Sequence, residues 1–182
     1  MFTGPKEAIE FRKRLSTEMN IFYERSRVVI VKRKNRLIVN QNELEEFLKQ
    51  KFGEYNVDVV YFEELSFIQQ VEKVTKAKLL IGVHGAGLTN SIFLPTLSTV
   101  IEITPPHFHY PLYERISIQS GHIFFRFVTQ YHPSIHQNNS YLNVNSIDCS
   151  YNISCLVFWR ESPIFVNITK FSVIIEQAME TF

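Results

Sequence analysis

The sequence predicts an α/β protein: a Rossmann-like parallel sheet with helices on both faces. Short β-branched apolar runs at Val28–Val31, Val57–Phe62, Leu79–Val83 and Thr99–Ile103 alternate with longer stretches whose apolar residues recur every three or four positions. Strand and helix in turn are what a parallel sheet requires, because each crossover needs a helix to return the chain to the same edge. The run at Leu79 stops at His84-Gly85-Ala86-Gly87, a strand-to-helix turn of the kind that brings backbone N–H groups close to an anion. With 182 residues, 45% hydrophobic and 20% charged, the chain can bury a sizeable core in one domain with a tail.

Taken in order, Glu7–Tyr23 carries Ile9, Phe11, Leu15, Met19 and Phe22 at helical spacing and is expected to pack against the sheet. Val28–Val31 is the first strand and Lys32–Arg36 its exit loop. Gln41–Phe52 places Leu44, Phe47, Leu48 and Phe52 on one helix face, with Asn40 positioned to cap it and Gly53 to end it. Val57–Phe62 is the next strand and Phe67–Thr75 a helix. After the strand at Leu79, Leu88–Phe93 opens a short helix that Pro95 closes, and Thr99–Ile103 is the neighbouring strand. Pro105–Pro111 cannot be helical. It leads to a helix at Leu112–Ser120 and a strand at His122–Thr129. Tyr131–Tyr151, rich in Asn, Ser and His, reads as a loop; Ser154–Trp159 and Ile164–Ile168 read as short strands, and Phe171–Met179 as a closing helix.

The formal net charge of +1 gives no global attraction to nucleic acid, and no nucleic-acid partner is expected. Positive charge is concentrated between Lys6 and Arg36, where ten Lys or Arg face four Glu. Of these, Lys32, Arg33, Lys34 and Arg36 follow a strand and are the candidates for phosphate contact. No apolar run approaches the roughly 18 residues of a membrane span, and Met1–Leu15 lacks the order of a signal peptide. Asn138, Asn152 and Asn167 each begin a glycosylation sequon, and Cys149 and Cys155 stand close enough to close a small loop, so these features lean towards a secretory lumen. Five histidines, His107, His109, His122, His132 and His136, match no familiar zinc spacing, and no metal site is expected from them.

The wording of two blocks goes further. IGVHGAGLTNSIFLP followed by VIEI (Ile81–Ile103), and VVIVKRKNRLIVNQNEL (Val28–Leu44), resemble in order and separation the signature of glycosyltransferase family 61. The resemblance covers roughly residues 5–130. It implies the C-terminal, donor-binding domain of a GT-B glycosyltransferase that takes a UDP-sugar, transfers GlcNAc or a pentose with inversion to a glycan or glycoprotein acceptor, and needs no metal cofactor to hold the donor. It implies the endoplasmic reticulum or Golgi lumen, reached through an N-terminal anchor outside this chain. On this reading residues 1–27 are a helical segment, 28–130 the nucleotide-sugar-binding domain and 131–182 an Asn-rich loop and C-terminal extension.

The family's site carries over onto particular residues. Arg36 and one of Lys32 or Arg33 would hold the diphosphate, since a guanidinium fork suits phosphate oxygens. The family's first arginine falls at or next to Lys32, where lysine keeps the charge and loses the bidentate geometry. His84 would donate to a phosphate or ribose oxygen, aided by the N–H groups of Gly85, Ala86, Gly87 and Leu88. Asn40, Phe62 and Thr89 complete the candidate set, with helix capping the competing role for Asn40 and Thr89. Glu102, a carboxylate in an apolar strand, needs a partner, either sugar hydroxyls or a basic residue such as Arg36. Phe62–Glu64 occupy a position where GT-B enzymes hold a base, but no residue is assigned as the base. The competing expectation is a non-catalytic nucleotide-sugar-binding fragment that lacks the acceptor domain.

Overall fold

The computed structural model describes residues 2–136 and 140–182. Five parallel strands form one sheet: β1 (Arg27–Val31), β2 (Val57–Val60), β3 (Ala77–Val83), β4 (Thr99–Thr104) and β5 (Ile123–Val128), in the order β2-β1-β3-β4-β5. The first crossover goes one way from β1 and the later ones go the other. The exit loops of β1 and β3 therefore diverge, leaving a crevice at the carboxyl ends of these two strands.

Side chains alternate across the sheet and divide the core in two. Val28, Ile30, Leu79, Ile81, Ile101 and Ile103 face α2 (Gln41–Phe52) and α7 (Ile168–Met179). Val29, Val31, Leu80 and Val100 face α1 (Pro5–Met19), α3 (Phe67–Val74) and α4 (Leu112–Gln119). Both faces are covered, which is why the central strands are nearly continuous in apolar residues.

Local signals set the helix ends. Ser66 and Gln69 form a reciprocal capping box on α3. Gly53, at φ 87°, ends α2 in a conformation that a side chain would resist. The α1 helix ends on Asn20 in the left-handed region and is clamped by Arg12, a buried guanidinium. Arg12 donates to the Ser120 carbonyl (2.9 Å), the Thr96 hydroxyl (3.2 Å) and the Ile92 carbonyl (3.5 Å). Ile92 and Ser120 lie at the carboxyl ends of helices, where carbonyls lack intrahelical partners and carry partial negative charge, so they compensate the buried cation.

The C-terminal third departs from the sequence reading. Ser154–Trp159 is not a strand but lies within α6 (Ile153–Glu161), started by the Asn152 side chain accepting from Cys155 N. Its buried residues, Cys155 and Trp159, are four apart, the spacing of one helix face. Ile164–Ile168 contributes one parallel bridge, Ile164 to Ile38, before Asn167 caps α7. Within Tyr131–Tyr151 the segment Ser146–Ser150 forms a short helix, α5. The two cysteines form a disulfide between α5 and α6, beside Trp159 and Phe108 in a third small core. The first sequon asparagine, Asn138, lies outside the described residues.

Candidate functional site

Side-chain alternation along β1 separates the basic residues that follow it. Lys32 continues the face of Val28 and Ile30 and pairs with Glu45 of α2 at 3.3 Å, away from the crevice. Arg33 continues the face of Val29 and Val31. It lines a cleft of ≈ 500 Å³ with Val31, Phe62, Ala86, Gly87 and Asn90. Strand geometry therefore puts Arg33, and not Lys32, on the side of the crevice.

Arg36 reaches the same place from the end of the loop. Its backbone adopts φ 53°, an uncommon conformation for a side chain of this size. Its guanidinium donates to the His84 carbonyl (2.9 Å) and to Glu161 of α6 (3.2 Å). Strained backbone of this kind persists where the surroundings enforce it, and it clusters at ligand-binding positions. Arg33 and Arg36 converge over Gly85. Arg33 Nη1 and Arg36 Nη1 lie 1.5 Å and 3.1 Å from the point that a Gly85 Cβ would occupy. Arg33 Nη1 is buried and makes no hydrogen bond. Burial and then the charge of Arg36 depress the Arg33 pKa, so two like charges are held together with one incompletely satisfied. An anion relieves both costs.

The glycine turn has two functions in two residues. Gly85 makes room for the guanidiniums. Gly87 makes room for the fold, since a Cβ there would meet Val31 Cγ1 at 2.8 Å and Phe62 Cδ2 at 3.4 Å. The helix that follows is a 3₁₀ helix over Ala86–Phe93, and the Leu88 N–H is already bonded to the Gly85 carbonyl (2.9 Å), which withdraws it from the donors expected for an anion. Thr89 hydrogen-bonds Tyr113, whose hydroxyl pKa burial pushes up. Phe62 is buried as the floor under Gly87.

His84 and Glu102 meet on adjacent strands. His84 Nδ1 is 2.5 Å from Glu102 Oε1, and the second carboxylate oxygen of Glu102 accepts from Arg126 Nε of β5 at 3.0 Å. Glu102 is wholly buried, and its basic partner is Arg126 where the sequence suggested Arg36. Asn40 makes no capping bond to α2. Its amide group instead accepts from Val166 N (3.0 Å) and donates to Val166 O (2.8 Å), fastening the segment before α7 to the sheet.

Arg126, Tyr113 and Glu161 are site neighbours that the sequence reading did not single out. A lone arginine in the aromatic strand IFFRFV is the counterpart of the lone glutamate in TVIEI, and pairing these two solitary charges would have found the first. Glu161 carries no such signal, because it lies 125 residues from Arg36. Among the described residues no group of three or more His, Cys, Asp or Glu could hold a metal ion. His136 donates to or accepts from backbone groups of Pro163 and His132, and His122 is buried. No helix among the described residues is long and apolar enough to cross a membrane.

Several glycosyltransferases are similar to this chain over part of their length. The chain is 37% identical over 98 residues to the dog protein O-linked-mannose beta-1,4-N-acetylglucosaminyltransferase 2, covering 52% of this chain and 17% of the relative. It is 31% identical over 136 residues to the human protein of that name (65% and 23%), and 40% identical over 78 residues to the Takifugu rubripes one (43% and 13%). It thus spans less than a quarter of the length of these relatives. The family model for glycosyltransferase 61 matches residues 3–101, over half of the chain and including the block at Val28–Leu44 and all but the last two residues of that at Ile81–Ile103, and by that match the chain belongs to glycosyltransferase family 61.

Proposed function

We propose that this glycosyltransferase domain binds the diphosphate of a UDP-sugar in the crevice between β1 and β3. The observation that carries the reading is the convergence of Arg33 and Arg36 over Gly85, with Arg33 Nη1 buried and unbonded. Two guanidiniums fix the planar array of phosphate oxygens and offset the charge that builds on the nucleotide as it leaves. His84, beside Arg36, supplies a further contact. In the whole enzyme an acceptor hydroxyl attacks the anomeric carbon from the face opposite the diphosphate. The C–O bond to the acceptor forms as the C–O bond to phosphate breaks, and the configuration inverts. The relatives' name makes GlcNAc the first sugar to test, with a glycan or glycoprotein as acceptor. The proton-accepting base is not assigned to any residue here. The Cys149–Cys155 disulfide supports a secretory lumen as the compartment.

Calorimetry with UDP and GDP tests the reading. UDP is expected to bind with a Kd on the order of micromolar to millimolar and GDP more weakly, with EDTA changing neither. Arg33→Ala and Arg36→Ala are expected to abolish the UDP signal at an unchanged melting temperature. Absence of heat with UDP, or equal binding of both nucleotides, refutes a uridine-selective donor site.

A further inference from the structure

The buried chain Arg126–Glu102–His84 crosses three strands on the face that bears the donor crevice. The sheet register sets Glu102 directly opposite Arg126 and opposite Gly82, two residues before His84. Gly82 itself is closely packed, since a Cβ there would meet Leu88 Cδ2 at 3.1 Å and Val31 Cβ at 3.2 Å. Arg126 is itself held from outside: its Nη2 pairs with Glu114 of α4 at 3.2 Å and its Nη1 meets His109 Nδ1 at 3.3 Å. The imidazole is enclosed by Phe108, Tyr113 and Tyr110, with ring centroids 4.7, 5.0 and 5.9 Å away.

We propose that Arg126 is a positioning residue, which acts through Glu102 to fix the tautomer and the ring orientation of His84. An ionised carboxylate only accepts hydrogen bonds, so the 2.5 Å contact places a proton on His84 Nδ1. Nε2 is then the ring's variable atom. It is the one available to the ligand, an acceptor in the neutral ring and a donor to phosphate oxygen in the charged ring. Without Arg126, the second oxygen of Glu102 has no partner in a dry site, and the carboxylate is free to protonate or to turn. Its partnership with His84 is then lost. Outer partners of this kind fix the tautomer of functional histidines generally. This inference rests on the donor-site reading for its consequence in binding, but the histidine's state can be observed without any ligand.

Nitrogen-15 NMR of the imidazole, recorded on the whole chain where His84 is neutral, reports which ring nitrogen carries the proton. The wild type is expected to show Nδ1–H alone, and Arg126→Met a mixture of both tautomers, with UDP affinity reduced about tenfold. Arg126→Lys, which keeps the charge, should restore the single tautomer and most of the affinity. Because Arg126→Met leaves a buried carboxylate unpaired, the double variant Glu102→Gln with Arg126→Met is the companion that keeps the core free of lone charge. It too should show mixed tautomers. An unchanged Nδ1–H signature in either variant overturns the proposal, even if UDP binds. A signature that depends on Arg126 in a chain that fails to bind UDP upholds the relay and refutes the donor site instead.

Discussion

The two ends of the sheet each hold arginine under a loop, and they treat it oppositely. At the amino ends of β4 and β5, Arg12 donates through its two terminal nitrogens to Ser120, Thr96 and Ile92, and the carbonyl ends of two helices balance its charge. At the carboxyl ends of β1 and β3, Arg33 sits beside Arg36 with Nη1 buried and unbonded. Arg12 is deeply buried yet anchored by three hydrogen bonds, and its role is structural. Each keeps one unbonded nitrogen, Arg12 Nε and Arg33 Nη1, so what separates clamp from receptor is the balance of charge: carbonyls surround Arg12, whereas a second cation, Arg36, stands beside Arg33 and favours an anion.

The contrast predicts that damage at the amino end appears as lost stability and damage at the carboxyl end as lost binding. The largest effect is expected for Arg12→Ala, which strands three acceptors and should cost about 3 kcal/mol in urea unfolding, with UDP affinity in the residual folded protein unchanged. A fall in affinity larger than the fall in folded fraction would break the distinction.

His122, at the same end, sharpens it through pH. Burial, and then the charge of Arg12, push its pKa from an ordinary value of 6.5 down to about 3. The unfolded chain therefore takes up the proton first. The stability contributed by a neutral His122 is complete above about pH 6.5 and is lost as pH falls towards 3, amounting to about 2–3 kcal/mol by pH 4.5. Unfolding curves of wild type and His122→Asn should converge as the pH is lowered over this range. Parallel curves would assign acid sensitivity to other groups.

The glycine turn allows a finer test. Gly85→Ala is expected to push the Arg33 guanidinium aside, reducing UDP affinity about tenfold with little change in melting temperature. Gly87→Val should lower the melting temperature through overpacking against Val31 and Phe62. Equal losses of binding and stability in both variants would erase the division of labour within the turn. The smallest effect is expected for Lys32→Ala, whose side chain is committed to Glu45 on the other face. UDP affinity should change less than about twofold, since a partly exposed ion pair contributes little. A larger loss would return Lys32 to the site.

Much of this arrangement was legible in the sequence because it depends on local patterns. Short β-branched apolar runs and turn residues located all five strands, and the HGAG turn falls at the crevice. Residues whose partners are distant in sequence were not legible. Asn40 has the identity and position of a helix cap, but Val166, 126 residues away, offers it two backbone bonds. Glu102 reads as needing a partner, either sugar hydroxyls or a cation, and the cation it has comes from the next strand in the sheet, a neighbour fixed by topology. In the C-terminal third, the apolar run at Ser154–Trp159 is short enough for either strand or helix. The Asn152 cap and the Cys149–Cys155 link accompany helix there.

The covering of the sheet has a practical corollary for anyone trimming this protein to its most recognisable part. The family-matched segment ends at residue 101, inside β4, one residue before the glutamate that holds His84. A polypeptide cut there would keep the block at Val28–Leu44 and most of that at Ile81–Ile103 but lose the end of β4, β5 and α7. Ile30, Leu79 and Ile101 would then lose the α7 half of their cover on an open sheet. Such a product should collect in inclusion bodies, and its silence in a nucleotide titration would report on the cut.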